Sequence, residues 1–230
     1  MATKRFVIFT SLWPEDLMPG AMPEFGPEDF IACADGGYIL CKSAGIRPDV
    51  VMGDFDSLSE ELIREIDSLG IERVVFSSEK DDTDTMLCVK HGVALGYERF
   101  LIVGGIGGDF GHTMANVQAL SFLMDLQCSA EIVTNTERIF LADGETRSVH
   151  REPSPAIPVS FTGRKGECFS VLSCAERSSG VFVKNAKYEL SDAVVTHSYP
   201  IGISNEFINS EPVTVSVRYG RLLIITERQL

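Results

Sequence analysis

The segment Val50-Val51-Met52-Gly53-Asp54-Phe55-Asp56-Ser57-Leu58 predicts the architecture of the N-terminal part of this chain. A short apolar run of this kind is typical of a buried strand, and the glycine ends it. Two carboxylates then follow one residue apart, at Asp54 and Asp56. In an open α/β sheet, ligands bind just beyond the carboxyl ends of the strands. The segment therefore predicts a metal–phosphate site at these two acids.

Two further acidic groups follow predicted strands: Asp35, and then the cluster Asp81, Asp82 and Asp84. If these strands are neighbours, their carboxyl ends converge, and two carboxylates about 5 Å apart repel by roughly 3 kcal/mol at an effective dielectric near 20. Magnesium binds one or two carboxylates together with substrate phosphates, so the pattern favours a magnesium–nucleotide site. The alternative is structural, because aspartate is common at turns and helix N-caps, and Asp82 fits a first-turn helix acid.

Strands alternate with helices as far as about residue 135, which favours βα units and a mostly parallel sheet. The proline-rich segment 152–158 is a plausible linker, and short β-rich pieces without helical periodicity follow it. We therefore predict an α/β N-terminal domain over residues 1–150 and a C-terminal antiparallel β-sandwich domain over residues 151–230. The predicted helices are Tyr38–Ala44, Ser57–Leu69 with a Ser57/Glu60 capping box, Thr83–Leu95 and His112–Leu126. The predicted strands are Arg5–Thr10, Phe30–Ala34, Val50–Met52, Arg73–Ser77, Phe100–Val103, Ala130–Thr134, Cys168–Ser173, Val181–Tyr188, Val213–Tyr219 and Leu222–Thr226. A further segment, Arg138–Ala142, is expected to pair near Ala130–Thr134.

Composition excludes several classes of protein. The net charge is −13, whereas nucleic-acid binding requires phosphate-neutralising Lys and Arg. The sequence contains no run of about 18 apolar residues, so no transmembrane helix is expected. The N-terminal run Phe6–Thr10 is too short for the apolar region of a signal peptide. We therefore expect a cytoplasmic protein. The six cysteines form no Cys-x-x-Cys pair, which favours buried free thiols over disulfides or zinc ligands.

The glycine run 104–108 lies between a predicted strand and a predicted helix, a placement that suits a phosphate cradle. It is not a Walker A motif, and it does not fit the dinucleotide-binding fingerprint. His112 follows at the start of the helix, where it is either a ligand contact or a structural cap residue.

Several motifs occur in order along the chain and together resemble the thiamine pyrophosphokinase family. They are Ala34-Asp35-Gly36-Gly37, Pro48-Asp49, Gly53-Asp54-Phe55-Asp56-Ser57, Lys80-Asp81-Asp82-Thr83-Asp84, Gly104–Gly108 with His112-Thr113, and Ser204-Asn205-Glu206. The resemblance implies a homodimer with active sites at the subunit interface. It implies transfer of the pyrophosphoryl group of ATP to the thiamine hydroxyl, with Mg²⁺, giving thiamine diphosphate and AMP.

The resemblance also implies roles for individual residues. The catalytic residues would be Asp54, Asp56 and Asp84, and the metal ligands Asp35, Asp54, Asp56 and Asp81. ATP would contact Gly36, Gly37, Lys80, Thr83, Gly107, Gly108 and His112. Thiamine would contact Ser204 and Asn205.

One segment departs from the family pattern. The family usually has Gly-Gly-Arg-x-Asp-His where this chain has Gly107-Gly108-Asp109-Phe110-Gly111-His112. An arginine there would supply charge-assisted hydrogen bonds to phosphate, and Asp109 would repel phosphate unless it faces a metal or solvent. The substitutions Asp109 and Gly111 keep open a non-catalytic sensor of nucleotide or thiamine diphosphate. A second alternative keeps the fold and changes the acceptor, giving a pyrophosphokinase for another hydroxymethyl heterocycle such as a pterin.

Overall fold

The structure is a computed structural model that describes residues 4–11, 22–145, 156 and 158–228. The chain divides into two compact units. Unit 1 comprises residues 1–123 and 127–135 with residue 230, and unit 2 comprises residues 124–126 and 136–229. The predicted linker at 152–158 lies outside the described residues except for positions 156 and 158, so a domain boundary at residue 150 stays a prediction.

Unit 1 is built on a six-stranded parallel sheet, which confirms the predicted α/β class. The strands lie in the order β6-β5-β1-β2-β3-β4, and each pair of neighbours is parallel. The strands are β1 Phe6–Phe9, β2 Phe30–Ala34, β3 Val50–Gly53, β4 Glu72–Val75, β5 Arg99–Val103 and β6 Ser129–Val133. The helices of this half of the chain are α1 Gly37–Ser43, α2 Glu60–Ser68, α3 Asp84–Ala94 and α4 Phe110–Asp125.

Both faces of this sheet are covered, because successive side chains of a strand point to opposite faces. Val7 and Phe9 pack in one cluster with α1 and α2, where Tyr38 and Ile66 are fully buried. On the other side, Phe6 approaches α3 so closely that a Cβ on Gly92 would lie 2.7 Å from its ring. The continuous apolar strands of the sequence are the consequence of burial on both faces.

Side-chain caps set the start of two helices. Ser59 accepts a hydrogen bond from the Leu62 backbone N–H and is the N-cap of α2, so the predicted capping box at Ser57 is wrong. Thr83 caps α3 by accepting from the Met86 N–H, as its predicted start requires. Helix α4 begins at Phe110, two residues before the predicted start. The predicted starts of α2 and α4 therefore differ from the observed ones by three and two residues.

Unit 2 is an antiparallel β structure, as predicted. One group of strands lies in the order β12-β9-β14-β7, and a separate four-stranded sheet has the order β11-β10-β13-β8. Strands β8, β11 and β12 were not among the predicted elements. The strands are β7 Glu137–Asp143, β8 Val159–Phe161, β9 Cys168–Ser173, β10 Arg177–Lys184, β11 Leu190–Thr196, β12 Asn205–Glu206, β13 Val213–Ser216 and β14 Arg221–Glu227.

Phenylalanine rings dominate the core of unit 2, which draws residues from both of these strand groups. Phe161 makes edge-on contacts with the rings of Phe140, Phe169 and Phe207, at centroid distances of 5.6, 5.3 and 5.9 Å. A core shared in this way is the mark of a β-sandwich.

All six cysteines are free thiols, four of them buried. Within the described residues, none of the helices has the length and apolar character needed to cross a membrane.

Candidate active site

Three acids of unit 1 meet at the carboxyl ends of neighbouring strands. Asp35 follows β2, Asp54 follows β3, and Asp84 is the first residue of α3. One carboxylate oxygen from each lies within 4.8 Å of the others. Strands β2 and β3 are adjacent and parallel, so their carboxyl ends bring Asp35 and Asp54 to the same edge of the sheet. We call this group the acidic triplet.

Local backbone geometry places these acids. Asp35 has a left-handed conformation, with φ of 42°, and its N–H donates to the Met52 carbonyl of the adjacent strand at 2.8 Å. Gly53 is required beside it, because a Cβ at that position would lie 2.7 Å from the Asp35 Cβ. Phe55 is also left-handed, with φ of 64°, and its ring is buried. Non-glycine residues held in this region are strained and cluster at functional sites.

The turn after β3 orders its own acids. The Asp56 backbone N–H donates to Asp54 Oδ1 at 3.3 Å, and the Ser57 hydroxyl donates to Asp56 Oδ1 at 3.2 Å. Burial alone would raise the pKa of Asp54, but this amide and the nearby Lys80 ammonium lower it below its usual value. Asp54 therefore presents a stable carboxylate.

Within the described residues, Lys80 forms the ion pairs with the triplet. Its Nζ lies 2.7 Å from Asp84 Oδ1 and 3.7 Å from Asp54 Oδ2. The pKa of Asp84 is nevertheless raised, first by burial and then by the negative charges of Asp35 and Asp54. One lysine does not balance three clustered acids.

The triplet suits a divalent cation. At an effective dielectric near 20, a pair of carboxylate oxygens 4.8 Å apart repels by about 3.5 kcal/mol. Among the described residues, Asp35 Oδ1 is the buried side-chain oxygen or nitrogen that lacks a hydrogen-bond partner. An unpaired buried oxygen is unfavourable unless a ligand satisfies it, and hard cations such as Mg²⁺ prefer carboxylate oxygen. The donor set therefore fits Mg²⁺.

The triplet forms part of the wall of a pocket of about 380 Å³. From the predicted site residues the pocket brings together Asp35, Asp54, Asp56, Asp84, Thr83 and His112. It adds residues that sequence reasoning did not select: Thr10, Ser11, Ala34, Ser57, Thr85 and Asn116. Hydroxyl side chains gave no signal in the sequence, because serine and threonine are common in loops and caps regardless of ligands.

Other predicted site residues lie outside this lining. Asp81 belongs to neither the triplet nor the pocket wall, and Asp82 pairs with Lys90. Gly36 sits directly behind the wall, since a Cβ there would lie 3.2 Å from Ser11 and 3.3 Å from Ser57. Gly37 is packed against the Phe9 carbonyl, which a Cβ would approach to 2.1 Å.

The glycine loop 104–108 is held against α4. Gly107 and Gly108 have positive φ values of 104° and 60°, a conformation that favours glycine. The Gly107 N–H donates to the Thr113 hydroxyl at 3.1 Å, and Asn116 Nδ2 donates to the Gly105 carbonyl at 2.8 Å. The loop is thus fixed by two side chains one turn apart on the helix.

Asp109 has a structural role in this chain. Its carboxylate accepts a hydrogen bond from the His112 backbone N–H at 2.9 Å, and its carbonyl accepts from the Thr113 N–H. This is the geometry of a helix N-cap, and the negative charge also complements the helix dipole. Asp109 and His112 are both exposed. The departure from the family pattern therefore supplies a helix cap.

The predicted thiamine-binding residues Ser204 and Asn205 lie in unit 2, and their contacts within that unit are as follows. Asn205 is buried and holds the backbone of Tyr188, donating to its carbonyl at 2.8 Å and accepting from its N–H at 3.0 Å. Ser204 is exposed in a left-handed conformation, with φ of 57°. An apolar cavity of about 50 Å³ lies beside Asn205 and is lined in part by Tyr188 and Ile203.

Comparison with known proteins identifies the family of this chain. Residues 24–134 match the family described as thiamin pyrophosphokinase, catalytic domain. Residues 156–222 match the family described as thiamin pyrophosphokinase, vitamin B1 binding domain. The chain belongs to the thiamin pyrophosphokinase family. The resemblance inferred from the motifs is confirmed, and with it the prediction of an enzyme of this family.

Individual relatives of this family cover nearly the whole chain. Thiamine pyrophosphokinase of Bacillus subtilis (strain 168) is 24% identical over 212 residues, which is 92% of this chain and 94% of that protein. A crystal structure of thiamine pyrophosphokinase from Bacillus subtilis has a TM-score of 0.82 at 22% identity and covers 98% of this chain and 100% of that one. The yeast thiamin pyrophosphokinase structure has a TM-score of 0.74 at 13% identity, covering 98% and 86%. At these identities the structures establish the shared fold.

Proposed function

We propose that this protein transfers the pyrophosphoryl group of ATP to the hydroxyl of thiamine in a Mg²⁺-dependent reaction, giving thiamine diphosphate and AMP. The acidic triplet carries the proposal, because three converging carboxylates with one unpaired buried oxygen suit a metal–phosphate substrate. Family membership supports thiamine as the acceptor.

Asp35, Asp54 and Asp84 would hold the metal, and Asp56 lines the same pocket. Magnesium bound there would neutralise charge on the phosphate oxygens during transfer. The assignment of Asp81 as a metal ligand stays a prediction from the resemblance. In the structure, Asp84 rather than Asp81 lies with Asp35 and Asp54. Lys80 pairs with Asp84 and Asp54 and holds both side chains in position.

The remaining chemistry is assigned to the chain's own groups. The thiamine hydroxyl attacks the β-phosphorus of ATP in line, the bond to the α-phosphate oxygen breaks, and AMP leaves. One carboxylate among Asp54, Asp56 and Asp84 accepts the hydroxyl proton. The hydroxyl side chains of the pocket and His112 at its exposed edge are available to phosphate oxygens. Such transfers depend mainly on positioning and charge stabilisation.

The proposal extends to parts of the molecule away from the pocket. Gly36, Gly37, Gly107 and Gly108 would approach ATP through their backbones, and Ser204 and Asn205 would lie near thiamine. A homodimer with active sites at the subunit interface, a cytoplasmic location and the domain division at residue 150 belong to the same proposal. They rest on the family resemblance and the composition.

The direct test is AMP release from ATP and Mg²⁺ with and without thiamine. The expected result is release that depends on both thiamine and the metal. AMP release with a hydroxymethylpterin and none with thiamine would instead establish the pterin alternative. Tight binding of nucleotide or thiamine diphosphate without any AMP formation would establish a sensor.

A substitution at the triplet tests the assignment of residues. Asp54→Asn keeps the size of the side chain and removes its charge, so we expect thiamine-dependent AMP release to be abolished. The matched control is Asp67→Asn, since Asp67 is an exposed aspartate paired with Arg73 at 2.6 Å and lies outside the pocket. Circular dichroism and size-exclusion chromatography would verify that both variants are folded. Near-normal turnover by Asp54→Asn would refute the proposed site.

A further inference from the structure

Asn116 is a buried polar residue in the pocket that the proposed reaction does not yet use. It lies on α4, one turn after His112, and it is only 4% exposed. Both residues line the pocket, His112 as an exposed side chain and Asn116 as a buried one. A neutral amide buried at this point can act on a ligand only through hydrogen bonds.

The orientation of the Asn116 amide is fixed by its neighbour. Nδ2 donates to the Gly105 carbonyl at 2.8 Å, and because a carbonyl can only accept, the opposite orientation of the amide would lose this bond. Gly105 has φ of 82°, and a Cβ there would lie 3.1 Å from Nδ2, so the loop and the amide are in close contact. Within the described part of the chain, Asn116 Oδ1 accepts no hydrogen bond, and it is not a fully buried atom, so it is accessible from the pocket that Asn116 lines.

We propose that Asn116 is a specificity-determining residue whose Oδ1 accepts a hydrogen bond from a substrate hydroxyl. The inference rests on the proposed function, because that reaction brings two sources of hydroxyl groups to the pocket: the ribose of the nucleotide and the attacking alcohol. A cationic or metal-bound group goes to the carboxylates of the triplet, whereas a neutral hydroxyl pairs well with a neutral amide oxygen. A substrate that lacks this hydroxyl leaves Oδ1 unpaired, and sites of this kind discriminate against it.

The nucleotide source is tested by binding. Calorimetry with Mg²⁺ would compare ATP, 2′-deoxyATP and 3′-deoxyATP on the unmodified protein and on Asn116→Ala. If Oδ1 binds the ribose, the unmodified protein prefers ATP over one deoxynucleotide by roughly five- to tenfold, the size of one hydrogen bond, and Asn116→Ala removes the preference. Asn116→Asp keeps an acceptor oxygen and is expected to retain the preference while binding all three nucleotides more weakly.

The alcohol source is tested by kinetics. If Oδ1 binds the attacking hydroxyl, the three nucleotides bind alike, and Asn116→Ala lowers kcat/KM for thiamine by roughly five- to tenfold. A thiamine analogue without the hydroxyl would then inhibit the unmodified protein and Asn116→Ala equally.

Thr113→Val is the matched control for the loop contact. It removes the hydroxyl that bonds Gly107 and leaves the pocket lining intact. If Asn116→Ala and Thr113→Val weaken all ligands to the same degree and neither changes the preference, Asn116 only holds the loop and the proposal is overturned. A protein that binds Mg²⁺–ATP but forms no AMP with any acceptor contradicts the proposed reaction, and the nucleotide comparison then decides the role of Asn116 alone.

Discussion

Asp35→Asn should make the metal-free protein more stable while removing its response to Mg²⁺. Asp35 is 5% exposed and faces two other acids, so its charge is unfavourable when no cation is bound. Asparagine keeps the shape of the side chain and tolerates the left-handed φ of 42° that this position requires. The substitution therefore removes the charge with little change in backbone geometry.

The expected gain follows from the distances at the triplet. Two carboxylate pairs, each within 4.8 Å, contribute about 3.5 kcal/mol of repulsion apiece at an effective dielectric near 20. Lys80 lies beside both partner acids and cancels much of this field, and solvent reaches Asp54 and Asp84. We therefore expect the free energy of unfolding to rise by about 1–3 kcal/mol in the absence of divalent cations.

Urea unfolding in EDTA and in Mg²⁺ would measure the effect. Asp35→Asn should be more stable than the unmodified protein in EDTA, and Mg²⁺ should stabilise only the unmodified protein.

Asp29→Asn is the matched control. Asp29 is a half-buried residue whose side chain is 5% exposed, but it pairs with the Arg5 guanidinium and accepts hydrogen bonds from the backbone N–H groups of Arg5 and Gly26 at 3.0 and 2.9 Å. The free energy of unfolding of Asp29→Asn should be about 2 kcal/mol lower than that of the unmodified protein, because charge-assisted hydrogen bonds are lost. A loss of stability in Asp35→Asn in EDTA would refute the charge argument.

Three further predictions concern a glycine, a helix cap and acid. Gly53→Ala places a Cβ 2.7 Å from the Asp35 Cβ, so AMP release should fall by about 100-fold, because a displacement near 1 Å has that effect; unchanged kinetics would contradict the packing argument. Asp109→Ala removes the bond to the His112 N–H and should lower the free energy of unfolding by about 1 kcal/mol, read from urea titration; no measurable loss would mean that the cap is dispensable. Burial would raise the pKa of Asp29, but its arginine and amide partners lower it below the ordinary value of 3.8. The stability that Asp29 provides is therefore present above pH 3.8 and is lost as the pH falls through the lowered pKa. Asp29→Asn should reduce the decrease in the free energy of unfolding on acidification, and the same pH dependence in both proteins would contradict this prediction.

The elements of unit 1 could be predicted because their signals are local. Phe30–Ala34 was predicted with its observed bounds, since an apolar run stops at an acid and two glycines. The start of α2 could not be fixed in this way: Ser57 and Ser59 both precede it, and the competition between two serines is decided by backbone conformation. Strand β11 escaped prediction because Leu190–Thr196 has mostly exposed or half-buried side chains and polar residues directly after its first position, and β8 is only three residues long.

The sequence predicted the type of the candidate site but not all of its residues. Acids that follow predicted strands indicate a metal–phosphate site, and this pattern selected Asp35, Asp54 and Asp84 among its acids. Asn116 carried no such signal, because an asparagine within a helical segment looks the same whether or not it faces a pocket.

The sequence by itself determined the succession of strands and helices, the acids that follow them and the family. These depend on short-range patterns: apolar runs, glycines at chain reversals and motifs at fixed spacing. Only the tertiary structure decided that Asp84 joins Asp35 and Asp54 while Asp81 does not, that Asp35 Oδ1 is left unpaired, and that Asp109 caps a helix. The reason is that strand order and burial determine which charged side chains lie close together away from solvent. Both depend on contacts between residues that are far apart in the chain.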